Sequence, residues 1–117
     1  ALWNLAVNSD NQVAIAKAGA IPPLVELLTT GTAGAKEKAA GALWNLAVNS
    51  DNQVAIAKAG AIPSLVELLT TGTAVAKEKA AAALLNLAAN SDNQVAIAKA
   101  GAIPPLVELL RSGTDVA

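Results

Sequence analysis

The chain has 117 residues, of which 54% are hydrophobic and 15% charged, and its formal net charge is −1. Cysteine and histidine are absent, which excludes a thiolate zinc site, a thiol nucleophile and an imidazole base. The near-neutral charge provides no basic surface for nucleic acid, and no apolar stretch approaches the roughly 20 residues of a membrane span. We therefore expect a single soluble, cytosol-compatible domain that is not an enzyme, binds no cofactor or metal, and has neither nucleic acid nor membrane as a partner.

Near-identical copies of one segment fill the chain. Ala-Leu-Trp-Asn-Leu-Ala begins at Ala1 and at Ala42, and Ala-Leu-Leu-Asn-Leu-Ala begins at Ala83, so each copy starts 41 residues after the one before. This period is typical of solenoids built from two or three helices per unit. Because natural copies drift apart, such regularity favours a consensus design, a reconstructed ancestor or a very recent duplication. Each unit of this single domain begins inside a third helix, and the units are 1–41, 42–82 and 83–117.

Each unit is predicted to contain three helices. The sequence SDNQ at 50–53 has the Ser-x-x-Gln form of a capping box, which predicts the start of the first helix. Gly60 stands where a glycine with positive φ ends a helix. Pro63 opens the second helix, because a proline in the first turn loses no hydrogen bond, and Gly72 ends it. The serines at the capping position, which no histidine could activate as nucleophiles, are Ser9, Ser50 and Ser91.

The second helix carries an apolar face and the third begins at a threonine. Thr73 is predicted to cap the third helix, which would run to about Asn90. The period also predicts the start of a further third helix from Gly113 onward. Neither end of the array has the polar capping repeat that solenoids normally need. The apolar residues of the second helix recur at helical spacing and are Leu65, Val66, Leu68 and Leu69.

The segment NSDNQVAIAKAGAIPPLVELL, followed by a helix that ends in ALWNLA, resembles the armadillo repeat. The resemblance covers the whole chain and implies an all-α fold, a right-handed α-solenoid of about three armadillo repeats. In this family the third helices line a concave groove, and an asparagine near the end of each one holds the backbone of an extended peptide. The resemblance therefore implies a non-catalytic peptide-binding scaffold, with an asparagine ladder formed by Asn4, Asn45 and Asn86.

The helical periodicity of the third helix independently places Asn45 away from the core. At 100° per residue, Leu43, Leu46 and their neighbours fall on one apolar arc, and Asn45 lies off it. A carboxamide offers a donor and an acceptor, so it can pair with the N–H and C=O of one residue in an extended strand. Alternatively, these asparagines only cap or solvate the helix ends. The polar stripe on this side of the third helices also contains Asn8, Lys38, Asn49, Lys79 and Asn90.

Two tryptophans lie at the flank of this stripe. Trp3 and Trp44 either offer a stacking surface to a ligand or pack as ridge residues between adjacent third helices. Importin-alpha places a tryptophan four residues before the asparagine, where Gly41 and Ala82 stand here, and acidic residues where the two lysines of the stripe fall. We therefore expect an extended peptide or disordered segment to bind better when it is acidic or apolar than when it is basic.

A second function is also compatible with the sequence. Ends without capping repeats would expose the faces that meet a neighbouring repeat, so the chain would either form a homo-oligomer or remain a marginally stable monomer. Head-to-tail stacking of such ends gives filaments or closed rings, and exchange of terminal elements gives dimers. Under this hypothesis the protein is a structural building block with no ligand.

Overall fold

The computed structural model describes residues 19–116, with side chains from 19 to 109, and all the regular structure in this part of the chain is α-helical. The expected all-α fold is therefore confirmed. Trp3, Asn4, Asn8 and Ser9 lie outside the described residues. The helices are α1 (Ile21–Thr30), α2 (Ala33–Leu46), α3 (Ser50–Lys58), α4 (Ala61–Thr71), α5 (Ala74–Leu87), α6 (Ser91–Lys99) and α7 (Ile103–Val116).

Equivalent helices of successive units stack on one another. With each unit now counted from the start of its first helix, α1 and α2 are the second and third helices of the first unit, α3 to α5 form the second unit, and α6 and α7 are the first and second helices of the third unit. The third helices α2 and α5 pack side by side, and the second helices α1, α4 and α7 follow one another in a row. This nearest-neighbour stacking is the architecture of a solenoid.

The core lies between the second and third helices. The predicted apolar arc of α2 is buried, since Leu43 and Leu46 are 0% exposed. On α4, Leu65 and Leu68 are buried as predicted, and Val66 is half-buried. Each fully buried leucine stabilises the fold by about 1.5–3 kcal/mol.

Several helix ends follow the local signals of the sequence. Gly60 has a φ of 86° and precedes α4, and Gly72 caps the C-terminus of that helix. The Thr73 side chain accepts a hydrogen bond from the backbone N–H of Ala76 at 3.1 Å, and so caps α5 as predicted. The prediction that the third helix runs to Asn90 was wrong. α5 ends at Leu87, because side chains of α6 take its last carbonyls.

The first helices are capped by asparagine, so the predicted capping box was wrong. Asn49 Oδ1 accepts from the backbone N–H groups two and three residues further on, at 2.9 and 3.2 Å. Ser50 is the first helical residue of α3, and Asn90 takes the capping position of α6. Gln53 does not reach back to the cap, because its Nε2 donates to the Ala47 carbonyl at 2.9 Å.

The predicted start of a further third helix at Gly113 was also wrong, because α7 runs without a break to Val116. In α4 the hydroxyls of Thr70 and Thr71 donate to the carbonyl of Glu67, at 3.0 and 2.9 Å. Such bonds compete with the backbone ladder and favour a helix end. In α7 an arginine and a serine stand at the two threonine positions. Arginine has no hydroxyl to make such a bond and has a higher helix propensity than threonine, which removes one of the signals that end α4.

No single helix among the described residues is long and apolar enough to cross a membrane. The pair α3 and α4, which meet at a bend of 82°, passes that test only by their joint length and composition.

Candidate functional site

Asn45 on α2 and Asn86 on α5 are two asparagines of the predicted ladder, and they lie on helices of adjacent units that pack side by side. Asn86 Nδ2 donates to the backbone carbonyl of Trp44, across the boundary between units, at 3.0 Å. Asn45 Nδ2 donates to the carbonyl of Gly41 in its own helix, also at 3.0 Å. Both asparagines are half-buried. Since a carboxamide has two N–H groups and one oxygen, each internal bond orients the amide while using one N–H.

The asparagines at the far end of the polar stripe have a structural role in the described units. Asn49 and Asn90 are half-buried and cap α3 and α6 with their side-chain oxygens. They stand at the corner where each third helix gives way to the next first helix. Their Oδ1 atoms are therefore engaged by the protein's own backbone.

The charged end of the stripe contains one interaction that crosses between units. Glu37 Oε2 accepts a hydrogen bond from the Thr73 hydroxyl at 3.1 Å, which places the Glu37 carboxylate beside the N-terminus of α5. The partial positive charge of a helix N-terminus favours a carboxylate there. Lys38 is exposed and Lys79 is half-buried. The negative charge next to Lys38 is thus directed towards the start of the neighbouring helix.

An apolar patch adjoins the two asparagines. It consists of Trp44, which is 37% exposed, Val48, which is 63% exposed, and Leu85, which is 66% exposed. Trp44 and Leu85 occupy the same position in successive units, and Val48 lies in the turn after α2, four residues after Trp44. Neither Val48 nor Leu85 was predicted from the sequence to belong to the site. Leu85 could have been predicted from the sequence, because it stands at the position of Trp44 in the next copy of the repeat.

Buried amides behind this surface were also missed from the sequence. Asn93 Nδ2 donates to the carbonyls of Gln53 at 3.2 Å and Leu87 at 3.0 Å. Asn52 Nδ2 likewise donates to the Leu46 carbonyl at 3.0 Å. Buried polar groups need such partners. These bonds fix the end of each third helix, and hence the asparagine beside it, to the next first helix.

Successive three-helix units, with one mixed polar and apolar surface along their third helices, define an α-solenoid repeat scaffold. The family model of the Armadillo/beta-catenin-like repeat matches residues 8–48, 49–89 and 90–116. The chain therefore belongs to the armadillo repeat family.

The solved structures similar to this chain include an engineered protein and designed armadillo repeat proteins. One is an engineered protein with 38% sequence identity and a TM-score of 0.87, over 93% of this chain and 46% of that chain. A second is one of a set of computationally designed armadillo repeat proteins for modular peptide recognition, with 34% identity and a TM-score of 0.87, over 93% of this chain and 47% of that one. A third is a designed armadillo repeat protein in complex with the peptide (KR)4, with 31% identity and a TM-score of 0.86, over 93% and 47%.

The chain spans less than half the length of each of these three structures. No curated protein has a sequence that matches it.

Proposed function

We propose that this chain is a non-catalytic scaffold that binds an extended peptide along α2 and α5, with Asn45 and Asn86 holding the peptide backbone. The observation that carries this proposal is the internal hydrogen bond, 3.0 Å long, that each carboxamide donates. A side chain held in one orientation loses less conformational entropy when it binds. The solved complex of a designed armadillo relative with a peptide supports the same function.

Each oriented carboxamide contributes its oxygen and its second N–H to one peptide residue. A net hydrogen bond of this kind stabilises a complex by only about 0.5–1.5 kcal/mol. Useful affinity therefore requires several asparagines in register together with contacts to peptide side chains. The proposed contact set consists of the three ladder asparagines and the residues that flank them, namely Trp3, Asn4, Asn8, Lys38, Trp44, Asn45, Asn49, Lys79, Asn86 and Asn90.

Acidic or apolar peptides are the preferred partners under this proposal. Lys38 is exposed on α2, and the carboxylate of the adjacent Glu37 is engaged by the Thr73 hydroxyl. A basic peptide would place like charges near Lys38, whereas an acidic peptide would complement them. We therefore expect a preference opposite to that of the relative that binds (KR)4.

Fluorescence anisotropy tests the proposal with two labelled octapeptides, one alternating Asp and Leu and the other (KR)4. We expect the acidic peptide to bind more tightly, and Asn45→Ala to weaken its binding about tenfold, which corresponds to about 1.4 kcal/mol. Val75→Ala is the matched control, because Val75 is 44% exposed in the first turn of α5, far along the helix from Asn86. Tighter binding of (KR)4 would overturn the preference, and unchanged binding by Asn45→Ala would overturn the backbone role.

A second candidate function, self-association without a ligand, is favoured by a comparison of equivalent residues. Ile103 on α7 is 57% exposed, whereas its counterparts Ile21 and Ile62 are 3% and 4% exposed. α4, the helix of Ile62, is in contact with the first and second helices of the following unit. The same face of α7 would accept another unit of this sequence from a second copy.

Molar mass from light scattering across a dilution series tests this second candidate. Self-association predicts masses above 11.6 kDa that fall on dilution and return to the monomer value in Ile103→Asp. Val75→Asp is the control, because it places the same charge on an exposed apolar position elsewhere. A constant monomer mass in the parent chain would rule this function out.

A further inference from the structure

The exposed apolar patch is an exception on the third helices. Leu43, Leu46, Leu84 and Leu87 are at most 1% exposed, so four of the five leucines on α2 and α5 lie in the core. Leu85, in contrast, is 66% exposed. Contiguous exposed apolar surface on a folded protein commonly marks an interaction site.

Trp44 and Leu85 stand at nearby backbone positions on the two sides of the boundary between units. The 3.0 Å bond from Asn86 Nδ2 to the Trp44 carbonyl holds residue 86 against residue 44. Leu85, which precedes Asn86 in the chain, therefore lies beside the same turn of α2. Val48 lies two residues past the end of α2, in the turn that leads to α3. The patch thus runs along the array, parallel to the line that joins Asn45 and Asn86.

This parallel arrangement suits an extended peptide. In a strand, successive side chains point to opposite sides, and alternate residues line one face. A backbone held by Asn45 and Asn86 would therefore direct the side chain between them either towards the patch or away from it. Only a large apolar side chain covers the exposed parts of both Trp44 and Leu85, because a short or charged one leaves that surface in water.

We infer that the groove selects peptides with one large aliphatic side chain, of leucine size, at the position between Asn45 and Asn86, and that Trp44, Val48 and Leu85 receive it. This inference rests on the proposed peptide-binding function. It adds Val48 and Leu85 as specificity-determining residues. Lys38 is exposed on α2, seven residues before Asn45, and so lies beside the strand and not along it.

Two synthetic octapeptides test the inference. Both consist of Ser, Thr and two Asp residues, and they differ only at one central position, which is Leu in one peptide and Ala in the other. We expect the Leu peptide to bind the 117-residue chain about tenfold more tightly, because a leucine side chain buries more apolar area than a methyl group. The tryptophan emission of the chain shifts to shorter wavelength only with the Leu peptide.

Variants at Leu85 separate the patch from general effects on folding. In Leu85→Ser the affinity for the Leu peptide should exceed that for the Ala peptide by at most about threefold. Leu85→Trp restores the residue of the other two units and should keep or raise this affinity ratio. Val75→Ser, at an apolar position that is 44% exposed in the first turn of α5, leaves the ratio unchanged. The unfolding midpoint of each variant is measured alongside, and the ratio is compared only between folded proteins.

The possible outcomes distinguish this inference from the function on which it rests. Equal affinity of the Leu and Ala peptides overturns the inference and leaves peptide binding intact. If neither these octapeptides nor the acidic octapeptide of the first test binds, both are overturned. A higher molar mass that Leu85→Ser abolishes would show that a second copy covers the patch, and it would also overturn the inference.

Discussion

Replacement of Asn93 by alanine is expected to destabilise the array more than any change to its polar surface. Asn93 is 4% exposed, and its Nδ2 donates to the carbonyls of Gln53 and Leu87 at 3.2 and 3.0 Å. These bonds join α6 to both α3 and α5. The loss of two hydrogen bonds at about 0.5–1.5 kcal/mol each, together with a small void, predicts a decrease of about 2–3 kcal/mol in the free energy of unfolding.

Thermal and urea unfolding, followed by circular dichroism, measure this loss. For a chain of this size, about 2–3 kcal/mol corresponds to a fall of roughly 10 °C in the midpoint. Asn93→Asp is expected to cost at least as much, because a carboxylate of the same shape has no N–H to donate and is buried with a charge. Gln94→Ala is the control, since the Gln94 side chain bonds to the Ala88 carbonyl at 2.7 Å in an exposed position. If Asn93→Ala changed stability no more than Gln94→Ala, the buried amides would not hold the units together.

Three further changes have expected outcomes in urea unfolding. Gly60→Ala should lower the free energy of unfolding by about 1 kcal/mol, because the φ of 86° at this position strains any residue with a Cβ. Gly34→Ala should instead stabilise α2 by about 0.5–1 kcal/mol, since a Cβ there meets nothing within 4 Å. A stabilising Gly60→Ala together with a destabilising Gly34→Ala would contradict both expectations. Gln53→Ala should cost more than Gln94→Ala, because the equivalent bond is buried in one unit and exposed in the other, and equal losses would refute the role of burial. Thr73→Val should cost about 1 kcal/mol through loss of the cap, and Thr73→Ser should restore most of it.

The repeat and the order of its helices could be predicted because their signals are local and recur. Gly60 and Thr73 each specify a helix boundary through their own backbone preference or side-chain reach. The start of the first helix was harder, since Asn49 and Ser50 are adjacent and both residue types are good caps. The Ser-x-x-Gln capping box does not form, because the Gln53 amide donates instead to the Ala47 carbonyl. That contact exists only once the units have packed together.

Part of the candidate site followed from helical periodicity and part did not. The position of Asn45 outside the core depends only on the spacing of residues within one helix. The bond from Asn86 to the Trp44 carbonyl depends on how α2 and α5 approach each other, which no single segment encodes. The buried Asn93 was missed for the same reason, because a polar run at a helix start usually indicates exposure and not a contact between repeats.

The most direct test of the peptide-binding account is the response of the asparagine side-chain amide signals in a two-dimensional NMR titration with the Leu octapeptide. The account predicts that the NH2 signals of Asn45 and Asn86 shift, while those of Asn52 and Asn93, which are buried behind the groove, stay in place. Shifts confined to the α7 face around Ile103, or no shift at saturating peptide, would contradict it.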